Sequence, residues 1–131
     1  MKHVRYGSPE AEALLTSEPL IAHLATCTEN DSHVAPLWYN YCDGHIEIVT
    51  TGQKLANIQA NPRVALSVQK DEDGHAQWGM SLRGAATVIE DEDRIREATR
   101  WINRRYGVED SARSENVYVR IKIGSLNHLK Y

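Results

Sequence analysis

His45-Ile46-Glu47-Ile48-Val49-Thr50 alternates, and Gly52-Gln53-Lys54-Leu55-Ala56-Asn57-Ile58-Gln59-Ala60, two residues later, does not. In the first run Ile46, Ile48 and Thr50 share one face and His45, Glu47 and Val49 the other, the period of a strand. The second reads as a short helix with Leu55 and Ile58 inward, stopped by Asn61-Pro62. Upstream, Asp43-Gly44 is a hairpin signal, and it joins the alternating run to a second strand from His33 to Tyr41. Before that, the turn residues Glu29-Asn30-Asp31-Ser32 close an apolar strand from Leu20 to Cys27.

Downstream the pattern continues. Arg63 to Gln69 reads as a strand with Val64, Leu66 and Val68 on one side, followed by a polar turn over Lys70 to Gly74. Gln77 to Ile89 is long for one strand, and Gly79 and Gly84 within it mark a bulge or a close backbone approach. The acids Glu90-Asp91-Glu92-Asp93 open a helix to about Tyr106, with Arg100, Arg104 and Arg105 towards its end, as the helix dipole favours. Ile95, Ala98, Trp101 and Ile102 form its expected buried stripe, and Gly107 its C-terminal stop. Val117 to Ile123 alternates as a last strand. An opening helix, with Ser8 as N-cap, Pro9 in its first turn and Ala11, Leu14 and Leu15 inward, ends near Glu18-Pro19. The expectation is an α+β protein, mainly β, in one domain over residues 1–131. Its six antiparallel strands curl into a small barrel to hide their edges, and three helices flank it.

Composition narrows the function. In 131 residues, 41% are hydrophobic and 25% charged, and 15 Lys and Arg face 18 Asp and Glu for a net charge of −3. A nucleic-acid protein needs a positive surface, so none is expected as a partner. No apolar run approaches a membrane span, and the first residues lack an apolar signal core. The two cysteines, Cys27 and Cys42, suggest neither a disulfide framework nor a zinc site. They are read as a reduced, half-buried pair, in keeping with a cytoplasmic protein. The six histidines show no metal-ligating spacing, so no metal is expected. The arginines of the third helix are interleaved with acids, Glu92 with Arg96 and Glu97 with Arg100, as on a solvated face.

Two segments carry possible chemistry. Val49-Thr50-Thr51-Gly52-Gln53-Lys54 leaves a strand and enters a helix, whose free N–H groups suit an anion. Two hydroxyls, a glycine and a lysine could together hold a terminal phosphate, although a plain capped helix with an exposed lysine has the same residues. His33-Val34-Ala35-Pro36-Leu37-Trp38-Tyr39 holds a proline that cannot donate to a ladder. It therefore marks either an ordinary edge strand or an opening where backbone and aromatic groups meet a ligand. No nucleophile–base pairing can be named, and Tyr39 and His33 are candidates for a proton-transfer role or for structure.

Taken in order and spacing, several motifs resemble the pyridoxamine 5′-phosphate oxidase-like family of flavin-binding split barrels. They are Ile21-Ala22-His23-Leu24-Ala25-Thr26, His33 to Trp38, Val49-Thr50-Thr51 with Lys54, Leu55-Ala56-Asn57-Ile58, Asn61-Pro62-Arg63-Val64-Ala65-Leu66 and Arg83-Gly84-Ala85-Ala86. The resemblance runs from about Glu18 to Ile123. It implies a split barrel working as a homodimer with FMN at the subunit interface. It implies the phosphate at Thr50, Thr51, Gln53 and Lys54, and the ring against Val34, Ala35, Pro36 and Leu37, near Val49. It also implies a contribution from the partner's long strand at Trp78 and Gly79. Gly52 and Gln53 replace the more polar and basic residues of the vitamin B6 oxidases, so that substrate is not expected. The implied activity is an oxidoreductase acting on another small organic molecule. F420 stands second as cofactor, because its long anionic tail calls for a basic groove and only Lys54 is evident near the site. Haem-binding relatives exist, but no histidine is marked out for that role. A flavin-binding module without turnover is the alternative of a different class.

Overall fold

A computed structural model of the chain describes residues 2–3, 9–109 and 117–131. The elements are β1 (Lys2–His3), α1 (Pro9–Thr16), β2 (Ala22–Thr28), β3 (Asp31–Leu37), β4 (Asn40–Cys42) and β5 (His45–Thr50), then α2 (Gly52–Ala60), β6 (Arg63–Glu72), β7 (His75–Ile89), α3 (Glu92–Arg105) and β8 (Val117–Lys130). The expected N-cap Ser8 lies outside the described residues. The fold is mainly β, an antiparallel sheet with three helices. The tight turns are where the dipeptides put them: Asp43-Gly44 and Asp73-Gly74 all have positive φ, 53° and 79° in the first and 51° and 79° in the second. That is the backbone that two-residue hairpin turns need.

The six-stranded barrel is corrected to an open sheet. Seven strands form one path, β3-β2-β6-β7-β8-β5-β4, and β1 pairs with β8 off it. The single strand expected from His33 to Tyr41 is two. β3 pairs with β2, β4 pairs with β5, and Trp38-Tyr39 separates them. The cause is long-range: the Tyr39 N–H donates to Tyr106 Oη at 3.2 Å rather than to a strand. The two edge strands are thus neighbours in sequence. Six strand spacings would set the edges of a flat sheet about 29 Å apart, while three residues reach at most about 11 Å. The sheet must therefore coil until its edges meet at that corner, although no ladder joins them.

The last strand runs further than the expected stop at Ile123. Gly84 pairs with Ile123 and Arg83 with Ser125, so Gly124 is the extra residue of a bulge. Beyond it the alternation resumes, with Leu126 and His128 buried. Gly84 is the close approach that its sequence position suggested. A Cβ there would lie 2.5 Å from the Lys122 carbonyl oxygen, whereas at Gly79 it would meet nothing within 4 Å.

The inner face of the sheet carries the core, including Leu24, Leu66, Leu82, Ile46, Ile48, Ile121 and Ile123, joined by Ala11 and Leu15 of α1 and Ile58 of α2. α3 lies instead over the other face of β5 and β8, burying Ala98 and Ile102. Trp101, expected in that buried stripe, is 55% exposed. Of the expected charge pairs on this helix neither forms; Arg96 pairs with Asp93 at 3.1 Å. Cys27 and Cys42 are exposed rather than half-buried, on strands that are not neighbours.

Candidate functional site

The β4–β5 ladder ends at Asn40 opposite Glu47. Continued, the same register would set Leu37 opposite Thr50, but β3 has turned to pair with β2 and the strands part. The break leaves two lips. One is the free edge of β3, where Val34 is 66% exposed, Pro36 is exposed, and Ala35 and Leu37 are half-buried. The other is the end of β5 and the start of α2, Val49 to Lys54. Both segments singled out in the sequence thus border one opening in the sheet.

The corner between them is held rigidly. Tyr39 is fully buried, and its hydroxyl donates to the Leu15 carbonyl at 2.7 Å. Trp38 stacks on Tyr106 with ring centroids 4.9 Å apart, and the Tyr106 hydroxyl donates to the Leu20 carbonyl at 2.5 Å. Arg105 places its guanidinium 4.6 Å from the centre of the Tyr39 ring and donates to the Leu15 and Glu18 carbonyls at 2.9 Å each. Burial pushes the Tyr39 hydroxyl up to about 12 against the opposing pull of Arg105. Tyr39 is therefore a structural anchor and not a proton donor to the opening. His33 stays exposed on the edge strand. The roles of Arg105 and Tyr106 carried no sequence signal, since they act through contacts about 65 to 90 residues away in the chain.

The α2 lip is open to an anion. Thr51 is the N-cap, with extended φ of −151°, and its side chain makes no capping bond. The first-turn amides thus lack the side-chain acceptor that a cap would give them. Gly52 has φ of +68° with open space where a side chain would project. The Thr50 Oγ1 is buried without any hydrogen-bond partner, a group that ordinarily finds one. Lys54 is half-buried and makes no ion pair among the described residues. An open helix start, a free ammonium and an orphaned hydroxyl together suit a phosphate monoester.

Gln53 does something else. Its Nε2 donates to Asn57 Oδ1 at 2.7 Å, and Asn57 Nδ2 donates to Thr26 Oγ1 at 3.0 Å, so a polar chain ties α2 to β2. Asn57 and Thr26 are both buried, and the sequence signals the pair only through an asparagine beside Ile58 on the inward side of a short helix. Trp78 is not brought to the opening within one subunit. It is buried at the start of β7, edge-on to His128 at 6.4 Å, whereas Thr50 aligns through Val117 with the far end of that strand.

A second feature lies on the outer face of the sheet, a groove of about 880 Å³. Its floor is small, with Ala25, Ala65 and Ala85, and Arg63, Arg83 and Lys122 stand on three adjacent strands around it. None of these cations has a carboxylate partner among the described residues. Among the described residues no group of three His, Cys, Asp or Glu is gathered for a metal ion, and no helix is long and apolar enough to cross a membrane.

A family model described as pyridoxamine 5′-phosphate oxidase matches residues 8–128. No curated protein matches the sequence. Solved structures share the fold. A FAD-binding protein from Mesorhizobium loti is 19% identical with a TM-score of 0.73, over 97% of this chain and 95% of its own. An F420 reductase is 23% identical with a TM-score of 0.75, over 92% and 98%. HutZ, a haem storage protein from Vibrio cholerae, is 15% identical with a TM-score of 0.71, over 97% and 95%.

Proposed function

We propose a function from one premise: the chain belongs to the pyridoxamine 5′-phosphate oxidase family, whose model takes in residues 8–128. Our reading is a homodimeric oxidoreductase that binds FMN in the sheet opening and acts on a small organic substrate. The observation that carries it is the pairing of an anion-ready helix start with a free strand edge across one gap in the ladder.

The residues divide the work. Lys54 and the first-turn amides of α2 hold the phosphate, with Thr51 and the orphaned Thr50 hydroxyl as further donors. Val34, Ala35 and Leu37 offer apolar contact to the ring, with Val49 on the facing lip. Pro36 has no N–H and removes one donor from that edge. Gln53 acts through Asn57 to fix α2 against β2. Trp78 of the partner subunit and the outer-face groove would complete the site in the dimer. FMN, when bound, would supply the redox chemistry at this site.

A second reading is an F420-dependent reductase of the same fold. It is favoured by the unpaired Arg63, Arg83 and Lys122, which supply the basic groove that the sequence alone did not reveal.

Titration of the cofactor-free chain with FMN tests the assignment. Lys54→Ala is expected to weaken binding about tenfold, the scale of one charge-assisted hydrogen bond. Thr50→Val, which removes a buried unsatisfied hydroxyl, should weaken FMN binding while leaving the cofactor-free fold as stable or more so. Unchanged FMN affinity in both variants would contradict the phosphate placement. Tight uptake of F420 with no FMN binding would move the function to the second reading.

A further inference from the structure

α3 carries Arg94, Glu97 and Trp101 at i, i+3 and i+7, one face of the helix and about 10 Å along its axis. With Tyr118 and Ala98 they wall a groove of about 580 Å³ whose floor is Glu47 and Arg120. That volume is within the range of small-molecule sites, and none of the residues assigned to FMN lines it.

The floor is internally paired, although the Arg120 Nε makes no hydrogen bond. Glu47 accepts from Asn40 Nδ2 at 3.0 Å and from the Tyr118 hydroxyl, with Arg120 Nε 3.8 Å away. The wall is not. The Arg94 guanidinium lies over the Tyr118 ring at 5.7 Å and has no carboxylate partner, and Glu97 has no cationic one, among the described residues. Trp101 leaves 55% of its surface in solvent and is braced by Arg104 at 5.9 Å. A free cation, a free anion and an open aromatic face thus stand in a row beside a cavity. Their complement is a small molecule with a carboxylate, an ammonium and a planar ring.

We propose that this groove binds a free aromatic amino acid, its carboxylate on Arg94, its ammonium on Glu97 and its ring on Trp101. The site stands independently of the flavin assignment. Binding of a carboxylate alone would leave Glu97 facing it unbalanced, and binding of an amine alone would leave Arg94 so. The zwitterion satisfies both, and the ring covers apolar surface now open to water.

Calorimetric titration of the purified chain with L-phenylalanine tests this, beside 3-phenylpropionate, 2-phenylethylamine and L-norleucine, which lack the amine, the carboxylate and the ring in turn. Phenylalanine is expected to bind at least roughly tenfold more tightly than each of the three. Arg94→Ala should bring it to the level of phenylethylamine, Glu97→Gln to that of phenylpropionate, and Trp101→Ala to that of norleucine. All three positions are exposed, so the variants should keep the fold, which circular dichroism checks. Absence of binding for phenylalanine, tyrosine and tryptophan at about 10 mM, equal affinity for all four probes, or a Trp101→Ala variant that binds as the parent does would each overturn the proposal.

Discussion

Tyr39 shows what a single residue can and cannot reveal. In the sequence it sits in an aromatic run beside a proline and suits either a reactive role or a structural one. In the fold it is sealed, with its hydroxyl on the Leu15 carbonyl and Arg105 across its ring. Nothing local announces those partners. Burial raises its pKa from 10.0 to about 12, so the folded state favours the protonated phenol. That contribution is complete below about pH 10 and is lost as pH rises through about 12, worth on the order of 2 kcal/mol. Tyr41, Tyr106 and Tyr118 are shifted in the same direction, each chiefly by burial, and add to the slope. The urea midpoint should therefore fall as pH rises from about 10 towards about 12, and less steeply in Tyr39→Phe. An equal fall in both proteins would contradict the buried-anchor account. Thr50 is the converse case: its place at a strand end was readable, but its lack of a partner is a property of the packed fold.

At the scale of elements, the most legible parts were those with local causes. Asp43-Gly44, the strand-to-helix step at Thr50 to Gly52 and the Asn61-Pro62 stop all lie where short-range chemistry put them. The misread parts have distant causes. Trp38-Tyr39 breaks a strand because Tyr106 takes its N–H. Gly124-Ser125 reads as a strand end, yet a bulge opposite Gly84 lets β8 continue. Trp101 has helical spacing for burial, yet the face it occupies borders a groove. The bulge gives a paired prediction. Gly84→Ala drives a Cβ to 2.5 Å from the Lys122 carbonyl oxygen and 2.8 Å from the Ile121 side chain. It should cost about 1–3 kcal/mol in denaturant unfolding. Gly79→Ala on the same strand meets open space and should be neutral or slightly stabilising. Equal effects would mean that the two backbones are not as close as described.

For the whole molecule, family and antiparallel sheet were readable in the order of weak motifs, while strand number and closure were not. The opening exists because the sheet fails to close, and closure depends on one corner rather than on any strand's pattern. The outer face, with its alanine floor and unpaired cations, is left without a cover in one chain. We expect a two-fold pair to cover it, giving about 30 kDa in light scattering from chains of 14.8 kDa. A flavin-loaded species at the mass of one chain would refute the pair. The central claim, that the sheet opening is a flavin site, is tested most directly by the visible absorption spectrum of the purified protein, with mass spectrometry of the small molecule it releases. The account predicts a flavin spectrum and released FMN. A colourless protein that releases no flavin and takes none up from solution would contradict it.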